Sequence, residues 1–349
     1  MVNNRLGPGI HLRCGVLCAL GLALVFAPAA RSDEPVKGAP ARDWKKYPAI
    51  AELETTQDIY VLGDVHGDYD RLISLLLSAK LIAADPAKPE SIQWNGGKAV
   101  LVNTGDMIDK GSQSYPVLVA LRALRASADK GGGQVLLLSG NHEAEFIAGN
   151  GQNKKSVEFV KELKARNIKP EDVAAGKDED GIGEMLRTLP FAARVNDWFF
   201  AHAGNSHGRA LKKLREDLEG GIDKDGFKAD VLQDPNSLLL ARSQPAPWWE
   251  QEGDKPGTGE ERLRGNLKAL GVNHLVVGHV PGKVTFADQT SRPSGEVYQK
   301  YDGTIFFVDV GMSRAVGYSS GALLHIRGEK HDRASVLDSD GTSRELWGK

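Results

Sequence analysis

Cysteine is almost missing from this chain of 349 residues: there are two, Cys14 and Cys18, both close to the N-terminus. Beyond them no thiol is available for a disulfide, a Cys-ligated zinc or a covalent nucleophile. Aromatic residues are sparse at 7%, and neither sign of charge prevails, with 44 Lys plus Arg against 46 Asp plus Glu for a net −2. That balance excludes the strongly basic surface of a nucleic-acid binder. With 41% hydrophobic residues it equally excludes an acidic disordered tail protein. The 40 glycines and 16 prolines follow no period, so collagen-like and low-complexity architectures fail.

Only one long apolar run is present, at residues 14–27 (CGVLCALGLALVFA), and it is shorter than the roughly 20 residues a membrane-spanning helix needs. Arg5 and Arg13 precede it, and small residues Ala27 and Ala29 follow at the spacing of a cleavage site. Residues 1–30 are therefore expected to be a secretory signal peptide, leaving no stable membrane span after cleavage and a periplasmic or extracellular protein. Leu17, before Cys18, is too large for a lipoprotein cut. Residues 31–48, rich in Pro, Ala and charge, read as a linker or N-terminal arm, and residues 49–349 as one domain.

Within that domain, short apolar runs end in Gly-Asp or Gly-Asn and lead into helical patterns. Ile59-Tyr60-Val61-Leu62 precedes Gly63-Asp64, Ala99-Val100-Leu101-Val102 precedes Gly105-Asp106, and Val135-Leu136-Leu137-Leu138 precedes Gly140-Asn141. Fully apolar strands alternating with helices predict an α/β fold with a sheet buried on both faces, whose ligands gather at the carboxyl ends of the strands. Residues 150–188 read as a helical insertion, with a surface helix at 154–163 and a solvated turn at Lys177-Asp178-Glu179-Asp180. Strands return at Trp198-Phe199-Phe200-Ala201, at 274–277, 305–308 and 322–326, and predict a mixed sheet packed on the first.

Four motifs carry the chemistry: Gly63-Asp64-Val65-His66-Gly67, Gly105-Asp106-Met107-Ile108-Asp109-Lys110-Gly111, Gly140-Asn141-His142-Glu143 and His202-Ala203-Gly204. A fifth, weaker one is Gly278-His279-Val280-Pro281. Each sets Asp, Asn or His just after an apolar run, with a glycine beside it that permits a tight turn. Carboxylate, amide and imidazole ligands without thiolate suit Mn, Fe or Zn. One Gly-Asp alone is a helix cap more often than a ligand; the ordered set is not. His11, His207, His274, His325 and His331 lack this setting.

The ordered set closely resembles the phosphoprotein phosphatase family of calcineurin-like metallophosphoesterases. LRTLPFAARVNDWFFAHAG and FFVDVGMSRA are similar to its bacterial Shewanella-like branch. The similarity runs over residues 59–326 and implies a central β-sandwich of mixed sheets flanked by helices, with two divalent metals, manganese foremost, at the strand ends. It implies Asp64 and His66 as ligands of the first metal, Asp106 as the bridge, and Asn141, His202 and His279 as ligands of the second. A hydroxide between the metals would attack phosphorus in line. His142 would be the general acid, oriented by Asp109.

The pattern departs from the family at Lys110, where arginine is usual; lysine offers phosphate a point charge in place of a bidentate fork. Arg242 stands where this branch tends to carry a phosphate-binding arginine, and Arg314 is a further candidate. Trp248-Trp249 either wall the substrate groove or anchor a loop. The expected activity is hydrolysis of phosphomonoesters, with phosphorylated proteins, peptides or small molecules as partners and no nucleic acid. The alternatives are a dinucleoside polyphosphate hydrolase, a lipid pyrophosphate hydrolase and a phospholigand-binding pseudoenzyme.

Overall fold

A computed structural model describes residues 42–153, 155–244, 246–251 and 257–348. The expected signal peptide lies outside the described residues. No helix among them is long and apolar enough to cross a membrane.

Strands β1 (Ile50–Leu53) and β2 (Ile59–Leu62) open the chain, and β3 (Val100–Asn103) and β4 (Gln134–Leu137) follow across α1 (Tyr69–Ser78) and α2 (Ser114–Gly131). β2, β3 and β4 pair in parallel, as strand–helix–strand crossovers require. Asp68 caps α1 by accepting from Arg71 N, and Gly132, left-handed at φ 80°, ends α2. After β4 comes α3 (Asn141–Ala148), then three short helices, α4 (Val157–Ala165), α5 (Pro170–Ala175) and α6 (Ile182–Thr188). The turn before α6 is solvated as expected, with Lys177, Glu179 and Asp180 exposed, and it also has a structural part. The Asp178 carboxylate accepts from Ile182 N and Gly183 N, both at 2.8 Å, and so caps that helix.

The second half supplies β5 (Ala192–Val195), β6 (Trp198–Ala201), β7 (His274–Val277), a small ribbon of β8 (Val284–Thr285) and β9 (Ser291–Arg292), then β10 (Tyr298–Lys300) and β11 (Ile305–Phe307). It closes with β12 (Ala322–Arg327), β13 (Arg333–Asp338) and β14 (Ser343–Gly348). Two six-stranded mixed sheets result, ordered β1-β5-β6-β7-β11-β10 and β14-β13-β12-β2-β3-β4. Every residue of β3, β6, β7 and β11 is buried, including Asn103 and His274 at the ends of otherwise apolar runs. The sheets meet through Trp347 of β14, whose ring lies 5.9 Å from those of Trp198 and Phe306 in the opposite sheet. Helices cover the outer faces, giving the expected metallophosphoesterase architecture.

The described part of the N-terminal arm is tied down by Arg42. Its guanidinium donates to the carbonyls of Tyr47, Pro48, Arg187, Thr188 and Leu189 at 2.7–3.2 Å, and stacks 4.5 Å over Trp44. One side chain thereby fastens the entry to β1 onto the end of α6.

Candidate metal centre and active site

The five motifs sit on the loops that leave the carboxyl ends of β2, β3, β4, β6 and β7, so both sheets feed one cleft. Close approach is built in with glycine. A Cβ on Gly140 would strike the backbone N and Oδ1 of Asp106, and one on Gly278 would strike Asp64 Oδ1. Several ligand-type residues take left-handed backbone that side chains seldom adopt: His66 (φ 45°), Asp106 (52°), Asp109 (67°), Lys110 (60°) and His279 (70°).

Asp106 stands at the centre, 2% exposed. Its Oδ2 lies 3.6 Å from His66 Nε2, 3.3 Å from His202 Nε2 and 3.9 Å from His142 Nε2. His66 Nε2 is also 3.8 Å from Asp64 Oδ2. His202 Nε2 lies 3.1 Å from Asn141 Oδ1 and 3.1 Å from His279 Nδ1. The backbone N–H of His279 donates to both oxygens of Asp64, at 3.2 and 3.3 Å, and joins the first and last motifs. All six residues expected as metal ligands therefore converge. Two groups of three, His66, Asp106 and His142, and Asp106, His202 and His279, have ligand atoms within 4.8 Å of one another.

The donor chemistry fits a cation. His66 Nδ1 lies 3.0 Å from Ile108 O, and His202 Nδ1 lies 3.0 Å from Thr104 O. A ring N–H facing each carbonyl leaves the Nε2 lone pair directed into the site, as ligating histidines require. His202 Nε2 then faces the side-chain oxygens of Asn141 and Asp106, an arrangement that a proton or a metal satisfies. Electrostatics say the same without a metal. Burial pushes Asp64 well above the usual carboxylate value, with Asp309 and Asp106 adding to the shift. Burial works to raise Asp106 too, but the imidazoles of His202, His142 and His66 outweigh it and hold Asp106 well below normal. Burial drives His66 down to about 3 and His279 well below its ordinary value, so both are neutral and ready to ligate.

His142 is different. Burial lowers it, but Asp106 and Asp109 more than compensate, and its pKa is raised. Its Nδ1 lies 3.2 Å from Asp109 Oδ2, while Asp109 Oδ1 accepts from Phe159 N at 3.1 Å and Asp109 N donates to Ser114 Oγ at 2.9 Å. Asp109 is completely buried and roots the pair in the first turns of α2 and α4. This is the geometry of an acid–base histidine with an orienting carboxylate.

The cationic candidates divide. Lys110 and Arg242 are exposed, and their charges act on the cleft, Lys110 on Asp64, His66 and His142, Arg242 on His279. Arg314 is engaged elsewhere: its guanidinium reaches Asp68 at 2.9 Å and Asp70 at 3.1 Å, bracing the start of α1. Trp248 and Trp249 are buried, and Trp248 Nε1 donates to Ala203 O at 3.3 Å, so the pair anchors a loop.

A family model for the calcineurin-like phosphoesterases matches residues 58–283, which is more than half of the chain. The chain belongs to this family. One relative of this calcineurin-like phosphoesterase, the Shewanella-like protein phosphatase 1 of Plasmodium berghei, is 27% identical over 288 residues, 79% of this chain and 73% of the relative. The symmetrical bis(5'-nucleosyl)-tetraphosphatase of Escherichia coli is 28% identical over 211 residues, 59% of each chain. Among solved structures, a cold-active protein-tyrosine phosphatase of a psychrophilic Shewanella species shares the fold with a TM-score of 0.63, covering 84% of this chain and 82% of that one at 24% identity. The Plasmodium relative, with the Shewanella-like protein phosphatase 2 of Arabidopsis thaliana (32% identical over 98 residues, 28% of this chain and 24% of the relative), supports a place in the Shewanella-like branch of the phosphoprotein phosphatases.

Two residues of the cleft had no role in the sequence reading. Glu143, fully buried, accepts four backbone N–H bonds: Asp106 at 3.0 Å, Met107 at 2.8 Å, Ile108 at 3.1 Å and Gly140 at 2.8 Å. It ties the second motif loop to the third. Its position three residues after Gly140, in the first turn of α3, was the available signal. Asp309 follows the apolar run Ile305 to Val308, the same grammar as Asp64 without the intervening glycine.

Proposed function

We propose that this calcineurin-like phosphoesterase is a two-metal phosphatase of phosphomonoesters, with phosphorylated proteins or peptides as its foremost substrates. The observation that carries the reading is the His142–Asp109 pair beside a ligand set able to hold two cations. Asp64, His66 and Asp106 would hold the first, and Asp106, Asn141, His202 and His279 the second, with manganese the preferred ion and iron or zinc also suited to the donors. Two divalent ions held there supply Lewis acidity and an activated water at neutral pH.

The chain's own residues do the rest. His142, kept protonated by Asp109 and Asp106, stands to give its Nε2 proton to the leaving oxygen as the ester bond breaks. A positioned acid of this kind contributes on the order of 10²–10⁴ in rate. Lys110 and Arg242 on the lip of the cleft attract the dianionic phosphate and reduce its repulsion from the carboxylates below. Lys110, being a point charge, constrains the rotation of that phosphate less than a fork would. With residues 1–30 as a signal peptide, the enzyme works in the periplasm or outside the cell.

The test is a panel of substrates offered to purified protein with Mn²⁺, Fe²⁺ or Zn²⁺ in turn: p-nitrophenyl phosphate, phosphoserine, phosphothreonine and phosphotyrosine peptides, and a dinucleoside tetraphosphate. Turnover of phosphopeptides above the dinucleotide is expected. Faster cleavage of the dinucleotide would favour the second reading, which the Escherichia coli relative motivates. No turnover of any ester with two metals bound would refute the enzyme reading.

A further inference from the structure

The reading above leaves one buried carboxylate without an occupation. Asp309 follows β11, and β11 runs parallel to β7 with Phe307 opposite Val277 and Val308 N bonded to Val277 O at 2.8 Å. Continued by two residues, that register sets Asp309 level with His279, whose N–H holds Asp64. Gly63, the residue before Asp64, abuts Val308 so closely that a Cβ there would collide with the Val308 carbonyl. Asp309 thus belongs to the floor of the cleft beside Asp64. It is 1% exposed.

Its two oxygens are treated differently. Oδ1 accepts from Gly311 N at 2.9 Å, whereas Oδ2 is buried with no hydrogen-bond partner. The buried Arg292 acts on Asp309 through its charge but does not bond this oxygen: its guanidinium donates to the carbonyls of Val280 and Glu296 and to the backbone oxygen of Asp309 itself. An unpaired buried carboxylate oxygen costs free energy unless a charge of opposite sign faces it. With one oxygen unbonded on the floor of the cleft, Asp309 offers a free acceptor to a cation held beside it.

We propose that Asp309 is a third carboxylate of the metal centre, whose free Oδ2 faces the cation held by Asp64 and helps to retain it. The inference rests on the two-cation reading above and adds a residue to it. Asp309 acts as a positioning and charge-balancing group, leaving bond making and breaking to His142 and its surroundings.

The experiment titrates metal-free protein with Mn²⁺ by calorimetry and melts the metal-free forms, for wild type and for Asp309→Asn. Asparagine keeps the size and the acceptor for Gly311 N–H and removes the charge. The expected result is wild-type binding of two ions, with the affinity for one of them at least tenfold weaker in the variant, in the range typical of lost supporting ligands. The metal-free variant should melt at or above metal-free wild type, because a like charge beside Asp64 is gone. Unchanged affinity for both ions would overturn the proposal. So would a metal-free variant that melts well below wild type, since that makes Asp309 a residue of the fold. Asp309→Ser is the second variant should Asn not fold, and failure of both to fold also counts against the proposal. Wild type that binds no metal would sink the two-cation reading instead.

Discussion

Replacing Glu143 by glutamine is the sharpest test of how the cleft is held in shape. Oε1 can go on accepting from Met107 N and Ile108 N, but an amide nitrogen in place of Oε2 turns two N–H donors toward those of Asp106 and Gly140. Each charge-assisted bond lost is worth about 1.5–3 kcal/mol, so the gross loss is about 3–6 kcal/mol. Against it stands relief from burying a charge. Burial, with Asp106 next, raises Glu143 to about 7 from an ordinary 4.5, which corresponds to about 3 kcal/mol at neutral pH. The net destabilisation of metal-free protein should be about 0–3 kcal/mol. The functional loss should be larger, because Asp106 and Asn141 ride on the loops that Glu143 joins. Guanidinium denaturation would read the first as a lower midpoint at unchanged slope. Calorimetric metal titration would read the second as at least tenfold weaker binding. A Glu143→Gln protein with wild-type midpoint and metal affinity within twofold of wild type would refute the reasoning.

Three further outcomes are expected. His142→Gln should lower kcat by about 10²–10⁴ with metal content unchanged, measured on a phosphomonoester after metal analysis; a loss below tenfold would remove His142 from acid catalysis. Lys110→Arg should lower KM for phosphomonoesters several-fold through bidentate contact, with little change in metal affinity, and a raised KM would show that the cleft has no room for the fork. Chelated protein should lose stability as pH rises from about 6.5 to 8. In that window the folded state binds more protons than the unfolded chain, because Asp64, Glu143, His142 and His202 all have raised values. The depressed His66 and His279 oppose this near pH 6.5, where they are about half protonated in the unfolded chain, and are neutral in both states only towards pH 8. The slope is about 1.4 kcal/mol per pH unit for each proton of difference, and a metal-free melting temperature that climbs over this range would contradict it.

The strand ends were legible because β2 and β6 are four-residue apolar runs and β7 is His274 followed by three apolar residues, each stopping at Gly or His, and their bounds coincide with the structure. Elements built by pairing rather than by composition were not. β14 is exposed at four of its six residues and is a strand because β13 lies beside it. β1, just after the stretch read as an N-terminal arm, mixes Ile50, Ala51 and Leu53 with Glu52, and β5, with two alanines and an arginine, has no apolar signature. In the cleft, ligand-type side chains announce themselves beside glycines. Three of the four N–H groups that Glu143 binds lie on a loop more than thirty residues away, which no local pattern records; only its spacing from Gly140 hints at the fourth. Arg314 was misleading for the converse reason: its partners, Asp68 and Asp70, are distant in the chain.

Five left-handed side-chain positions ring this cleft, and each holds a conformation that glycine would adopt with less strain. Non-glycine residues in sparsely populated backbone regions cost on the order of 1–3 kcal/mol each. A search for thermostable variants guided by melting temperature alone would therefore be drawn to His66, Asp106, Asp109, Lys110 and His279, and would remove the activity as it raised the midpoint. Lys80, exposed and left-handed at φ 58° at the end of α1, carries the same strain away from the cleft. Engineering for robustness should begin there, where backbone relief and turnover are not in competition.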